Sequence, residues 1–174
     1  NNNTAMGHYA LGANTTGASN TAIGSTALDA NTTASSCTAV GHNALGVNTT
    51  GDANTAVGHG ALDANTTGGS NIAMGKDAVT ANTTGSGNIG IGVGALRHNT
   101  TAGEVTGVGD GCLAANTTGA LNTAFGAQTL ASCTTGASNV AIGGYALTAV
   151  STGGSAVGVG VNAGHNLTTG GNSV

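Results

Sequence analysis

Asn54-Thr55-Ala56-Val57-Gly58-His59-Gly60-Ala61-Leu62-Asp63-Ala64-Asn65-Thr66-Thr67-Gly68-Gly69-Ser70 is one copy of a unit that occurs ten times in a chain of 174 residues. Its first glycine recurs every 17 residues, at Gly7, Gly24, Gly41, Gly58, Gly75, Gly92, Gly109, Gly126, Gly143 and Gly160, with no insertion or deletion between copies. Ten in-phase copies imply one structural unit stacked on itself. Helical repeats need roughly 33 to 47 residues, so a period of 17 belongs to the coil of a parallel β-solenoid. The coils begin at residues 3, 20, 37, 54, 71, 88, 105, 122, 139 and 156, and residues 1–174 form a single repetitive all-β segment. Both termini fall in mid-repeat, as expected of a piece of a longer fibre.

Numbered from Asn3, the columns of the repeat read N-T-A-I-G-x-x-A-L-x-A-N-T-T-G-x-x. Column 2 is β-branched in every coil and column 4 is always a large apolar residue, from Met6 and Ile23 to Val159. Side chains two apart share one face of a strand. Column 9 is leucine in eight of ten coils. Two short strands per coil are therefore expected, with columns 2, 4, 9 and 11 pointing into a narrow core. Column 3 holds only Ala or Gly and column 5 only Gly. Such restriction means that something presses on that face, and the simplest neighbour is the same strand of another subunit. Glycine in column 5 also suits a positive φ at a corner. In Asn-Thr-Thr-Gly, asparagine and glycine suit a tight turn, and identical side chains stacked about 4.8 Å apart can bond along the column.

Composition narrows the function. Aromatic residues make up 2% of the chain and charged residues 5%, and the formal net charge is −4. No basic patch exists for nucleic acid or anionic lipid. No apolar run approaches the ~20 residues that cross a bilayer, so no membrane insertion is expected of this segment. No signal peptide is legible at Asn1-Asn2-Asn3-Thr4. The eight charged residues fall only in columns 6, 7, 10, 16 and 17, the columns without a consensus, which are expected to face water. Burying two large apolar side chains per coil offsets little of the entropy lost in ordering the coil. Burial of the Ala/Gly face between chains would make up the difference, which predicts a homo-oligomer, a parallel trimer.

The run Ser138-Asn139-Val140-Ala141-Ile142-Gly143, with Asn20-Thr21-Ala22-Ile23-Gly24 and Asn54-Thr55-Ala56-Val57-Gly58, resembles the head repeat of trimeric autotransporter adhesins. The full unit with Ala-Leu and Asn-Thr-Thr-Gly is similar to repeats of phage tail-fibre and bacterial surface-fibre proteins. The resemblance covers essentially the whole chain. It implies a left-handed parallel β-roll, three chains around an axis, a place on a cell surface or virion, and a role in attachment. The adhesin repeat is shorter, so the extra Asn-Thr-Thr turn changes the cross-section.

Other chemistry is sparse. His8, His42 and His59 share column 6, with His42 and His59 on adjacent coils. Two imidazoles about 5 Å apart could hold a metal weakly, but three or four ligands are usual, and solvent-exposed corners are the plainer expectation. Cys37, Cys112 and Cys133 occupy three different columns, which is no disulfide framework. They are expected to be inert packing substitutions. Asn-Thr-Thr is a glycosylation sequon at Asn14, Asn31, Asn48, Asn65, Asn82, Asn99 and Asn116, but a turn ladder is the plainer expectation because the triplet is continuous with the repeat. No triad or paired carboxylates recur, so neither enzymatic activity nor a cofactor is expected.

The leading expectation is an extracellular structural fibre or adhesin segment, a rod binding an unidentified cell-surface or host receptor through many weak contacts. The protruding side chains Tyr9, Tyr145, His8, His42, His59, Lys76 and Arg97 are the candidate contacts. Two alternatives are a self-assembling filament without a receptor and an ice-binding protein built on stacked threonines.

Overall fold

The structure, a computed structural model, describes residues 2–169. Ten three-residue strands follow one another: β1 (Thr4–Met6), β2 (Thr21–Ile23), β3 (Thr38–Val40), β4 (Thr55–Val57), β5 (Ile72–Met74), β6 (Ile89–Ile91), β7 (Thr106–Val108), β8 (Thr123–Phe125), β9 (Val140–Ile142) and β10 (Val157–Val159). They form one parallel sheet in chain order. Every pairing is in phase with the repeat, as in Thr55↔Ile72, Ala56↔Ala73 and Val57↔Met74. The chain is a parallel β-solenoid, and no helix occurs among the described residues.

Each coil has one strand, not two. The segment around column 9 is a run of turns in which columns 7 and 9 take left-handed backbone, as at Leu28 (φ 51°), Leu62 (φ 52°) and Leu113 (φ 51°). A left-handed residue costs about 1–2 kcal/mol, and the fully buried leucine returns about 1.5–3 kcal/mol. Hydrogen bonds between coils continue through these turns: Thr26 N–H donates to His8 C=O at 2.8 Å and Leu28 N–H to Ala44 C=O at 3.0 Å.

The core reverses the expected orientation of the strand. Column 3 points inward: Ala22, Ala39, Ala56, Ala73, Ala124 and Ala141 are fully buried, together with the column 9 leucines from Leu28 to Leu147 and the column 8 alanines from Ala27 to Ala146. Columns 2 and 4 point outward, and column 11 is also outside the core. Restriction to Ala or Gly did signal a neighbour, but the neighbour is the chain's own column 9. At Gly107 an added Cβ would meet Leu96 Cγ of the preceding coil at 3.4 Å. So narrow a coil has room for one leucine only if the sheet opposite carries nothing larger than a methyl. Column 5 is also explained within one chain. Gly58 has φ +137°, and a Cβ there would run into the Gly75 carbonyl of the next coil.

Two buried asparagine columns complete the interior. Column 12 forms a ladder: Asn65 Nδ2 donates to Asn48 Oδ1, and Asn82 Nδ2 to Asn65 Oδ1, each at 2.8 Å. The same Asn82 Nδ2 also donates to Gly85 C=O at 2.9 Å. In column 1, Asn54 Oδ1 accepts the Asn71 N–H at 2.9 Å while its Nδ2 donates to Gly68 C=O at 2.8 Å. Buried polar groups left unpaired cost about 1–3 kcal/mol each, so these reciprocal bonds are what make an asparagine-rich core tenable.

Candidate interaction surface

The outer side of the sheet is a strip of columns 2 and 4 running through β1–β10. It holds β-branched and large apolar side chains and no charged residue. Several are well exposed: Met74 42%, Phe125 43% and Ile142 43%. The strand pleat, not a loop, positions them, and the in-phase register lines up each column from coil to coil. Sequence reasoning missed this surface because period-two alternation separates two faces without saying which is inside. The deciding signal is steric: one leucine per coil leaves space only for alanine across from it.

The charged and protruding residues lie where expected, outside the core. His42 and His59 stack with ring centroids 5.2 Å apart and planes 12° from parallel. His59 Nδ1 lies 3.7 Å from Asp77 Oδ1. Burial pushes the Asp63 carboxyl above its ordinary range, opposed by the nearby His42 and His59 and reinforced by Asp77. Column 6 thus brings His42, His59 and Lys76 onto successive coils, whereas Tyr9 and Tyr145 sit eight coils apart. His8 packs edge-on against Tyr9 at 4.1 Å. Arg97 stands exposed in column 10. Among the described residues, no three His, Cys, Asp or Glu side chains come together as metal ligands.

The sequons are closed in the folded chain. Asn31, Asn48, Asn65, Asn82, Asn99 and Asn116 are fully buried, with their Nδ2 groups bonded into the ladder or to a column 15 carbonyl. Asn14, half-buried in the first coil, donates to Gly17 C=O at 3.1 Å. Glycosylation at the six buried positions is incompatible with the folded solenoid, and the turn-ladder alternative accounts for the triplet. The three thiols are buried and free. Burial pushes Cys112 up to about 12 and raises Cys37 and Cys133 as well.

The two threonines of the turn differ. Column 13 hydroxyls donate to the next coil's column 13 carbonyl, as Thr66 Oγ1 does to Thr83 C=O at 3.0 Å. Column 14 is threonine in all ten coils and exposed in every one. Among the described residues, its hydroxyls take no partner within the chain. No helix in the described residues is long and apolar enough to cross a membrane. No protein-family model, curated protein or solved structure matches the chain.

Proposed function

We propose that the chain is a rod segment of an extracellular fibre or adhesin, on a cell surface or virion, assembled from three parallel copies. The observation that carries this reading is the uncharged apolar strip along the outer sheet face. Contiguous apolar patches above a few hundred Å² mark interaction sites. Ten strands at ~4.8 Å and three residues at ~3.3 Å give a strip of about 480 Å² per copy. Two copies face to face would bury about 1,000 Å² in one contact, and three around an axis about 1,400 Å² shared among three contacts, against about 1,200–2,000 Å² for a standard two-partner interface. The number three is carried by the resemblance to adhesin heads. The left hand of the coil is part of the same proposal, carried by the resemblance to adhesin heads.

In this arrangement columns 2 and 4 meet at the axis, and the variable columns face outward. Contacts with a receptor fall to the exposed files, His8, His42, His59 and Lys76 in column 6, with Tyr9, Tyr145 and Arg97 beside them. Affinity comes from many weak contacts along a stiff rod.

Sedimentation equilibrium tests the assembly. The native chain is expected at three times 16.1 kDa. Val57→Lys, which places a charge on the strip, is expected to sediment as a single chain with an unchanged β spectrum. A native chain at single-chain mass would sink the reading. Attachment is tested separately with beads carrying many copies, which should hold host or bacterial cells where free trimer does not. Long filaments of uniform width without cell binding would instead favour the receptor-free filament.

A second reading rests on column 14. An exposed, unchanging file of hydroxyl-and-methyl groups at ~4.8 Å is the surface an ordered water lattice would meet. Thermal hysteresis in dilute chain, lost on replacing Thr67, Thr84 and Thr101 by Lys, would establish it.

A further inference from the structure

Sulfur in this chain is divided between the core and the strip. Cys37, Cys112 and Cys133 are fully buried inside the solenoid. Burial also pushes their ionisation upward, which keeps them from the thiolate form that oxidants attack. The two methionines, Met6 and Met74, both stand in column 4 on the outer face of the sheet, 65% and 42% exposed. Every sulfur that an oxidant in solution can reach therefore lies on the apolar strip.

Met74 occupies the more sensitive place. In the register of the sheet it lies between Val57 and Ile91. Column 2 of its own strand is Ile72, and the next strand carries Ile89 and Ile91. In coils 5 and 6 both outward columns are thus purely apolar, with no side-chain hydrogen-bond donor.

We infer that Met74, together with Met6, is an oxidation site through which peroxides stop the strip from pairing with other copies of this chain. The inference rests on the oligomer proposed above. In an unassembled chain the thioether sulfur attacks one oxygen of hydrogen peroxide. An S–O bond forms as the O–O bond breaks, and the second oxygen leaves as water. Sulfur gives up two electrons and the peroxide takes them, so no other reactant is needed. The product, a sulfoxide, is a polar side chain in place of a flexible apolar one. Its oxygen accepts hydrogen bonds from water while the strip is open. Once covered, it finds no side-chain donor in Ile72, Ile89 or Ile91. A polar group that loses water without gaining a partner opposes the contact. Assembly in turn covers the sulfur, so the oxidant acts on chains not yet assembled. Methionine sulfoxide reductases reverse the change, which makes the site a switch.

The test treats chain held dilute, as single copies, with mild hydrogen peroxide. Peptide mass mapping is expected to show one oxygen gained at Met6 and at Met74 and none at the three cysteines. On concentration, the oxidised chain is expected to need about tenfold more protein to reach the oligomer mass, a loss of about 1.4 kcal/mol, with an unchanged β spectrum. Sulfoxide reductases should restore assembly. Met6→Leu with Met74→Leu, which conserves volume, should assemble normally and ignore peroxide. Met74→Gln, which sets a polar group there without any oxidant, should weaken assembly as oxidation does. If the oxidised chain and the glutamine variant assemble as readily as the untreated chain, or the leucine variant loses assembly to peroxide as well, the methionines are not the switch. A native chain that sediments as a single copy at every concentration overturns the oligomer itself. An assembled chain whose Met74 oxidises as fast as in dilute chain shows that the strip is not the contact, a result distinct from both.

Discussion

Val79 and Gly90 show how tightly single residues are matched in so narrow a coil. Val79 is the one column 9 residue that is β-branched, and it takes φ 50°, where β-branched side chains fit poorly. Its Cγ2 occupies the place where a column 3 Cβ of the next coil would sit, and that position is Gly90 rather than alanine. Gly90→Ala alone should therefore destabilise the chain by about 1–3 kcal/mol through overpacking. Val79→Leu in the same chain should recover most of that loss, because alanine and leucine already face each other in neighbouring coils. A urea-unfolding double-mutant cycle measures the coupling, and strictly additive effects would show that the two side chains do not compete for space. Gly107 is looser, because an added Cβ there would stand an ordinary 3.6 Å from the Cys112 sulfur.

The thiols carry a pH dependence whose sign follows from burial. Their folded-state values are raised, to about 12 for Cys112 against an ordinary 9.0. The unfolded chain therefore ionises first as pH rises. Stability from these groups is complete below about pH 9 and is lost progressively from there toward pH 12. Urea midpoints at pH 8 and pH 10.5 should differ, and Cys112→Ala, which restores the column 8 consensus, should narrow the gap. An equal drop in the variant would assign the loss to other groups.

At the scale of the element, the asparagine ladders decide where the stack is strong. Column 1 is interrupted at Cys37 and Val105, which have no side-chain oxygen for the next coil's amide. Column 12 is interrupted between Asn31 and Asn48, leaving Asn31 Oδ1 buried without a partner. Near that break the Gly51 carbonyl accepts from Asn48, Asn54 and Cys37 together. Cys37→Asn should restore an acceptor for the Asn54 N–H and add about 0.5–1.5 kcal/mol, seen as a higher urea midpoint; an unchanged or lower midpoint would mean the site cannot seat the amide. The ladder itself was legible in the repeat, because asparagine recurs in both columns 1 and 12. Its burial was not, since an Asn-Thr-Thr-Gly string reads equally as an exposed turn. The strand was legible from column 2 to column 4, but the supposed second strand was lost to left-handed leucines, a conformation no propensity would assign to leucine.

At the scale of the whole molecule, the period and in-phase stacking follow directly from the spacing of Gly7 to Gly160, whereas the inside and outside of the sheet had to come from packing. Removing residues 88–104, one complete unit, should leave a folded rod one coil shorter, because each coil leans only on its neighbours. Removing Val105 as well as that unit breaks the phase and should unfold the flanking coils. Circular dichroism and small-angle scattering distinguish the two deletions; collapse of the first would mean the stack is not modular. The hydrogen bonds that tie coil to coil also lie along the long axis, in series between one end and the other. A tether loaded from its two ends would then yield one coil at a time. Each yielding coil of 17 residues would pay out about 56–61 Å of slack in place of a rise of about 4.8 Å. Such a line lengthens in equal increments under a sudden pull before its anchorage fails.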